Sequence, residues 1–110
     1  MVKDKSRDPR RSLPADGNGP VTLFLVERRL VDLSSDGLLA VHNALAESCR
    51  RLSMSGRTVQ YQRSFFAVER GWCLSVFTAS DRETVRLAND VAQVPFVRIE
   101  EGLKLESPHP

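Results

Sequence analysis

Two histidines and two cysteines occur in the chain. They bound the soft-metal and nucleophilic chemistry open to it. Leu38, His42, Leu45, Cys49 and Leu52 recur at spacings of four and three, which places them on one face of a helix. Seven residues separate His42 from Cys49, a rise of roughly 10 Å. That is too far for one metal to be held by both. His42 therefore reads as a partly buried, hydrogen-bonded histidine, with a ligand or catalytic role as the alternative. Cys49 reads as a small buried apolar residue. Cys73 is more open. It shares a strand face with Ser75 and Phe77, and a thiol on a face that meets a ligand or partner could bind a metal or sense oxidants. His109 lies between two prolines and is expected to point at water.

The charged candidates are Glu27 and Arg63. Glu27 ends an apolar run, where a carboxylate can bind a cation, position a substrate or pair with Arg63 or Arg98 as a brace. Arg63 is expected to share a strand face with Val59, Tyr61 and Phe65, as an internal cation suited to a carboxylate or phosphate. Other signatures are missing. There is no Gly-rich phosphate loop, no Cys-x-x-Cys pair and no His-Glu-x-x-His helix. Nor is there a Gly-x-Ser-x-Gly elbow. Basic residues do not alternate with exposed aromatics, so a single-strand nucleic-acid platform has no support.

The elements that must position these residues fit in one domain, since the chain has 110 residues. No apolar run approaches the roughly 20 residues of a membrane span. The net charge of +2 belongs to residues 1–20, which hold five basic and three acidic side chains. That segment also carries three prolines and two glycines and little apolar surface. It is expected to be a disordered basic tail. Residues 21–105 form the expected domain, and 106–110 a flexible end. Nucleic acid is not an expected partner. Two cysteines with no argued pairing make a reducing cytoplasm the expected compartment.

Residues 21–26 alternate as a first strand. Ser34, Ser35 or Asp36 caps the first helix, which ends near Ser53, with Gly56 as its left-handed exit. Thr58 to Ala67 and Trp72 to Thr78 pair as a hairpin around Glu69-Arg70-Gly71. Ser80 and Glu83 fit a capping box for the second helix, which Pro95 stops. Val97 and Ile99 belong to a last strand. The order βαββαβ with right-handed crossovers gives a ferredoxin-like α+β fold. Strands one and three are central in a four-stranded antiparallel sheet, and two helices cover one face. The other face, with either Phe66 and Phe77 or the Trp72 set, is left uncovered and invites a second subunit.

Leu25-Val-Glu-Arg28, Tyr61-Gln-Arg-Ser-Phe-Phe66, Ala79-Ser-Asp-Arg-Glu83 and Val94-Pro-Phe-Val-Arg-Ile99 stand in that order. Together they resemble a small actinobacterial family of ferredoxin-like proteins whose structurally described member binds nickel and dimerises. The resemblance covers about residues 22–105. It implies the same fold, a homodimer and a possible nickel or other transition-metal cofactor. Two departures matter. Where family members carry a Trp-x-His-Ser-Tyr stretch, this chain has Tyr61, Arg63, Ser64 and Phe65. Where they tend to have a strand-three cysteine, it has Ser75. A guanidinium cannot ligate a metal, so the nickel site does not carry over cleanly.

Three functions compete. The first is a non-catalytic dimeric binding or sensing module for a small anionic ligand, using Glu27, Tyr61, Arg63 and Ser75. The second is a metal-binding protein using Glu27, Cys73 and His42. The third is a dimeric α+β-barrel enzyme acting through His42, Tyr61 or Arg63. The balance leans away from an enzyme, and the fold alone does not choose.

Overall fold

The computed structural model describes residues 20–105. The elements run β1 (Thr22–Arg29), α1 (Ser35–Met54), β2 (Val59–Ala67), β3 (Trp72–Ala79), α2 (Arg82–Ala92) and β4 (Arg98–Glu101). The four strands form one antiparallel sheet in the order β2-β3-β1-β4. The expected ferredoxin-like α+β arrangement is therefore present, with β1 and β3 in the centre. The expectations for residues 1–19 and 106–110 lie outside the described residues.

Both helices start at a side-chain cap. Ser34 accepts from the Gly37 amide at 3.0 Å, satisfying a donor that the first turn leaves open. For α2 the cap is Asp81, which accepts from the backbone and the hydroxyl of Thr84 at 2.8 and 2.7 Å. This corrects the expected Ser80–Glu83 box. A carboxylate accepts more strongly than a hydroxyl, and starting one residue later places Val85 and Ala88 inward. The Thr84 hydrogen bonds hold the Asp81 carboxyl below its usual range. Gln93, in the left-handed region at φ 60°, ends α2 before Pro95 would obstruct it.

Burial alternates along β1 from Leu23 onwards and along the whole of β3. Phe24, Val26, Phe77 and Ala79, with Val59 and Ile99, point to one side. There they meet Leu45 and Cys49 of α1 and Val85 and Ala88 of α2. At about 1.5–3 kcal/mol for each large apolar side chain buried, this cluster is the main stabilising element. Small residues on α2 let that helix approach the sheet closely. Gly71 in the β2–β3 turn is required by geometry: its φ is +66°, and a Cβ there would stand 2.6 Å from Val31.

One irregularity redirects the second strand. Tyr61 pairs with Phe77, but Arg63 pairs with Val76, so Gln62 is an extra residue in β2. A bulge of this kind flips all later side chains to the opposite face. Val59 and Tyr61 therefore share the helix side with Ser64 and Phe66. Arg63 and Phe65 point away from the helices, and both are exposed. The expectation of a single face carrying Val59, Tyr61, Arg63 and Phe65 is corrected here. So is the expectation that Arg63 is an internal cation.

Candidate functional site

The internal cation is Arg28. It follows Phe24 and Val26 in the inward register of β1 and has no exposed surface. Its Nε donates to Ser75 Oγ at 3.2 Å, and one terminal nitrogen donates to Asn89 Oδ1 at 2.7 Å. The other reaches the carbonyls of Val94 and Pro95 at 3.5 and 3.2 Å. Asn89 Nδ2 in turn donates to the Val85 carbonyl at 2.8 Å, which fixes the amide with its oxygen towards Arg28. Cys73 is the cross-strand partner of Arg28. Burial pulls the guanidinium below its usual value, while Cys73 and Tyr61 act in the opposite direction. No carboxylate pairs with Arg28 among the described residues. Its charge is held by neutral acceptors from β3, α2 and the α2–β4 connection.

Ser75 extends this cluster towards the surface. Ser75 and Ser64 hydroxyls are 2.8 Å apart, Ser64 is 2.7 Å from Tyr61 Oη, and Tyr61 Oη is 2.9 Å from His42 Nδ1. A continuous hydrogen-bonded chain thus runs from exposed His42 on α1, through β2 and β3, to buried Arg28. Desolvation pushes the Tyr61 hydroxyl above its ordinary pKa. His42 is hydrogen-bonded as expected, but it is exposed rather than partly buried. The buried stripe of α1 is centred on Leu45, Ser48 and Cys49, which leaves His42 on its flank, edge-on to the Tyr61 ring. Burial pushes the Cys49 thiol up to about 12, in keeping with a packing residue.

Glu27 lies on the opposite face of the sheet. It accepts from Trp72 Nε1 at 3.1 Å and pairs with Arg98 at 3.2 Å. The brace with Arg98, one of the two arginines considered for it, is the one formed. Around it Leu23, Leu25, Leu74, Val76 and Phe65 make an apolar surface that neither helix covers. Val76 stands between Leu25 and Arg63 in register, and Leu25 is followed by Glu100. The Trp72 alternative for the open face is the one realised; Phe66 and Phe77 face the helices.

The sheet therefore divides the candidate residues. Tyr61 and Ser75 belong to one polar chain on the helix side, with Cys73 4.0 Å from Ser75. Glu27 and Arg63 stand on the open side. Glu27 and Cys73 are separated by the sheet itself, and His42 is separated from Cys73 by the row of hydroxyls. Among the described residues no three of His, Cys, Asp and Glu come together in a way that could hold a metal ion. The residues suited to nickel by type do not fit nickel by position. Arg28, Ser64 and Asn89 were missed as members of the polar chain. Continuing the alternation of Phe24 and Val26 by two residues would have found Arg28.

A four-stranded antiparallel sheet with two helices, one polar chain through its core and one open apolar face defines a small ferredoxin-like α+β protein. Comparison with known proteins narrows this. The profile described as "Nickel responsive protein SCO4226-like" matches residues 24–101, and the chain belongs to that family. The crystal structure of SCO4226 from Streptomyces coelicolor A3(2) superimposes with a TM-score of 0.62 at 17% identity, covering 77% of this chain and 99% of that one. At that identity the likeness concerns the fold. No curated protein matches the chain.

Proposed function

We propose that this protein is a small, non-catalytic binding or sensing protein of the cytoplasm that works as a homodimer. The observation that carries this reading is the open sheet face, where Leu25, Trp72, Leu74, Val76 and Phe65 form a contiguous apolar surface. Surfaces of that kind mark interaction sites. Arg63 on that face makes no ion pair among the described residues and is the group through which it would recognise an anion, a carboxylate in particular. Catalysis has less support. The best base by type, His42, is occupied by Tyr61 at the surface, and the thiol of Cys73 is buried at the far end of the chain of hydroxyls. In the described residues no helix is long and apolar enough to cross a membrane.

The family's description implies a response to nickel. Glu27, Cys73 and His42 would have to supply the donors here, and their separation argues against a site built within one chain. Equilibration with nickel, zinc or copper, followed by elemental analysis, tests this directly. The expected result is less than stoichiometric metal after desalting. One tightly held ion per chain would overturn the proposal.

A further inference from the structure

We infer that His42 is a pH-sensitive latch between α1 and β2. As a neutral imidazole it accepts a hydrogen bond from Tyr61 and ties the N-terminal half of α1 to the sheet. When protonated it lets that half go. The direction of the hydrogen-bonded chain fixes this behaviour. Four links join Arg28, Ser75, Ser64, Tyr61 and His42. A guanidinium only donates, so Arg28 Nε supplies the hydrogen to Ser75 Oγ. Each of the three hydroxyls has one hydrogen to give. Ser75 then donates to Ser64, Ser64 to Tyr61 and Tyr61 to His42 Nδ1, and every link is made once. Nδ1 is therefore a bare acceptor, and the hydrogen of the neutral ring sits on Nε2.

A protonated imidazole carries hydrogens on both nitrogens. The chain would then have donors at both ends, with three hydroxyl hydrogens for the two inner links, and one hydrogen left over. Among the described residues the only further contact of these hydroxyls is Cys73 Sγ, 4.0 Å from Ser75, a weak acceptor. His42 is exposed, so the protonated ring turns into water instead and Tyr61 is released. The titratable and charged groups around Tyr61 are Arg28 from β1, Cys73 from β3 and Cys49 from α1. From α2 and the α2–β4 connection come the neutral Asn89 amide and two carbonyls. No carboxylate among the described residues pairs with His42 to hold the charged ring in place. The latch also sits where the helix is held least. The buried residues of α1 are Leu45, Ser48 and Cys49, and none of residues 35–44 is buried. Among the described residues, the bond from His42 is the one side-chain hydrogen bond joining residues 35–44 to the sheet.

Amide hydrogen exchange followed by NMR from about pH 8 to about pH 5, the range in which histidine changes charge, tests the inference on wild type, H42N and Y61F. A chelator is present throughout, so that no metal competes for the imidazole. Protection is compared after correction for the intrinsic exchange rate. In wild type the amides of residues 39–44 are expected to lose about 5-fold in protection as pH falls, the effect of losing one hydrogen bond. Those of residues 45–49 should keep theirs. The response should vanish in H42N, which removes the titrating ring. It should vanish in Y61F too, with residues 39–44 fixed at the low-pH level of wild type. Nitrogen shifts of the neutral His42 ring should place its hydrogen on Nε2. A flat wild type, or a response that persists in either variant or extends equally to residues 45–49, overturns the latch. So does a Y61F protein fixed at the high-pH level, or a neutral ring with its hydrogen on Nδ1.

Discussion

The two faces of the sheet use charge in opposite ways. On the helix side a single cation, Arg28, is fully buried and surrounded by neutral acceptors. On the open side Glu27, Arg98, Glu100 and Arg63 stand around apolar side chains, and three of them pair at the surface. A buried charge is expensive unless every donor is satisfied. The helix side therefore commits its polar groups to one another and joins β1, β3 and α2 into one unit. The open side pays little for its charges in water and keeps them adjustable. The inner face holds the strands and helices together, and the outer face, on the function proposed above, is the one left to meet a partner.

The inner face should be far more sensitive to substitution. R28A removes the donor from Ser75, Asn89, Val94 and Pro95 at once and is expected to cost about 3 kcal/mol or more. Chemical denaturation would read this as a lower midpoint. A loss below 1 kcal/mol would show that water replaces the guanidinium and that the cluster is not a dry one.

Y61F, at the middle of the polar chain, sharpens the contrast by a smaller amount. Ser64 and His42 lose their shared partner while the ring stays beside Phe77. About 1 kcal/mol of stability should go. On the outer face R63H should leave stability within about 0.5 kcal/mol of wild type. It should still bind no stoichiometric nickel, because the nearby side chains are Phe65, Val76 and Leu25. Metal uptake by R63H in elemental analysis would move the family's site onto the open face of this chain.

The smallest effect is expected on the outer surface of α1. Arg50 and Arg51 hold the exposed Glu47 carboxyl down at about 2, from an ordinary value of 4.5. Because the folded value is the lower one, the contribution is present above about pH 4.5 and is lost as pH falls towards 2. Thermal melting of E47Q across that range should show a slightly flatter acid limb than wild type. Unchanged limbs would mean that this pair is fully screened by solvent.

Much of the fold was legible because it rests on local pattern. The period-two alternation of Phe24 and Val26, the helical stripe through Leu45 and Cys49, and the glycine of the β2–β3 turn each follow from short-range constraints. The site was legible only in pieces. Tyr61, Ser75, Cys73 and His42 were recognised as polar groups able to act, but the chain linking Tyr61 and Ser75 needs Ser64. Ser64 reaches the inner face only because of the extra residue at Gln62.

What the sequence by itself determined is the element order, the two central strands and the family. These depend on hydrophobic period, caps and turn residues, which act over a few positions. Only the tertiary structure decided that Arg63 stands outside the core, and that Glu27 and Cys73 stand back to back across the sheet. The physical reason is register. A single bulge exchanges the two faces of a strand, and no periodicity in the residues themselves marks where pairing with β3 will slip.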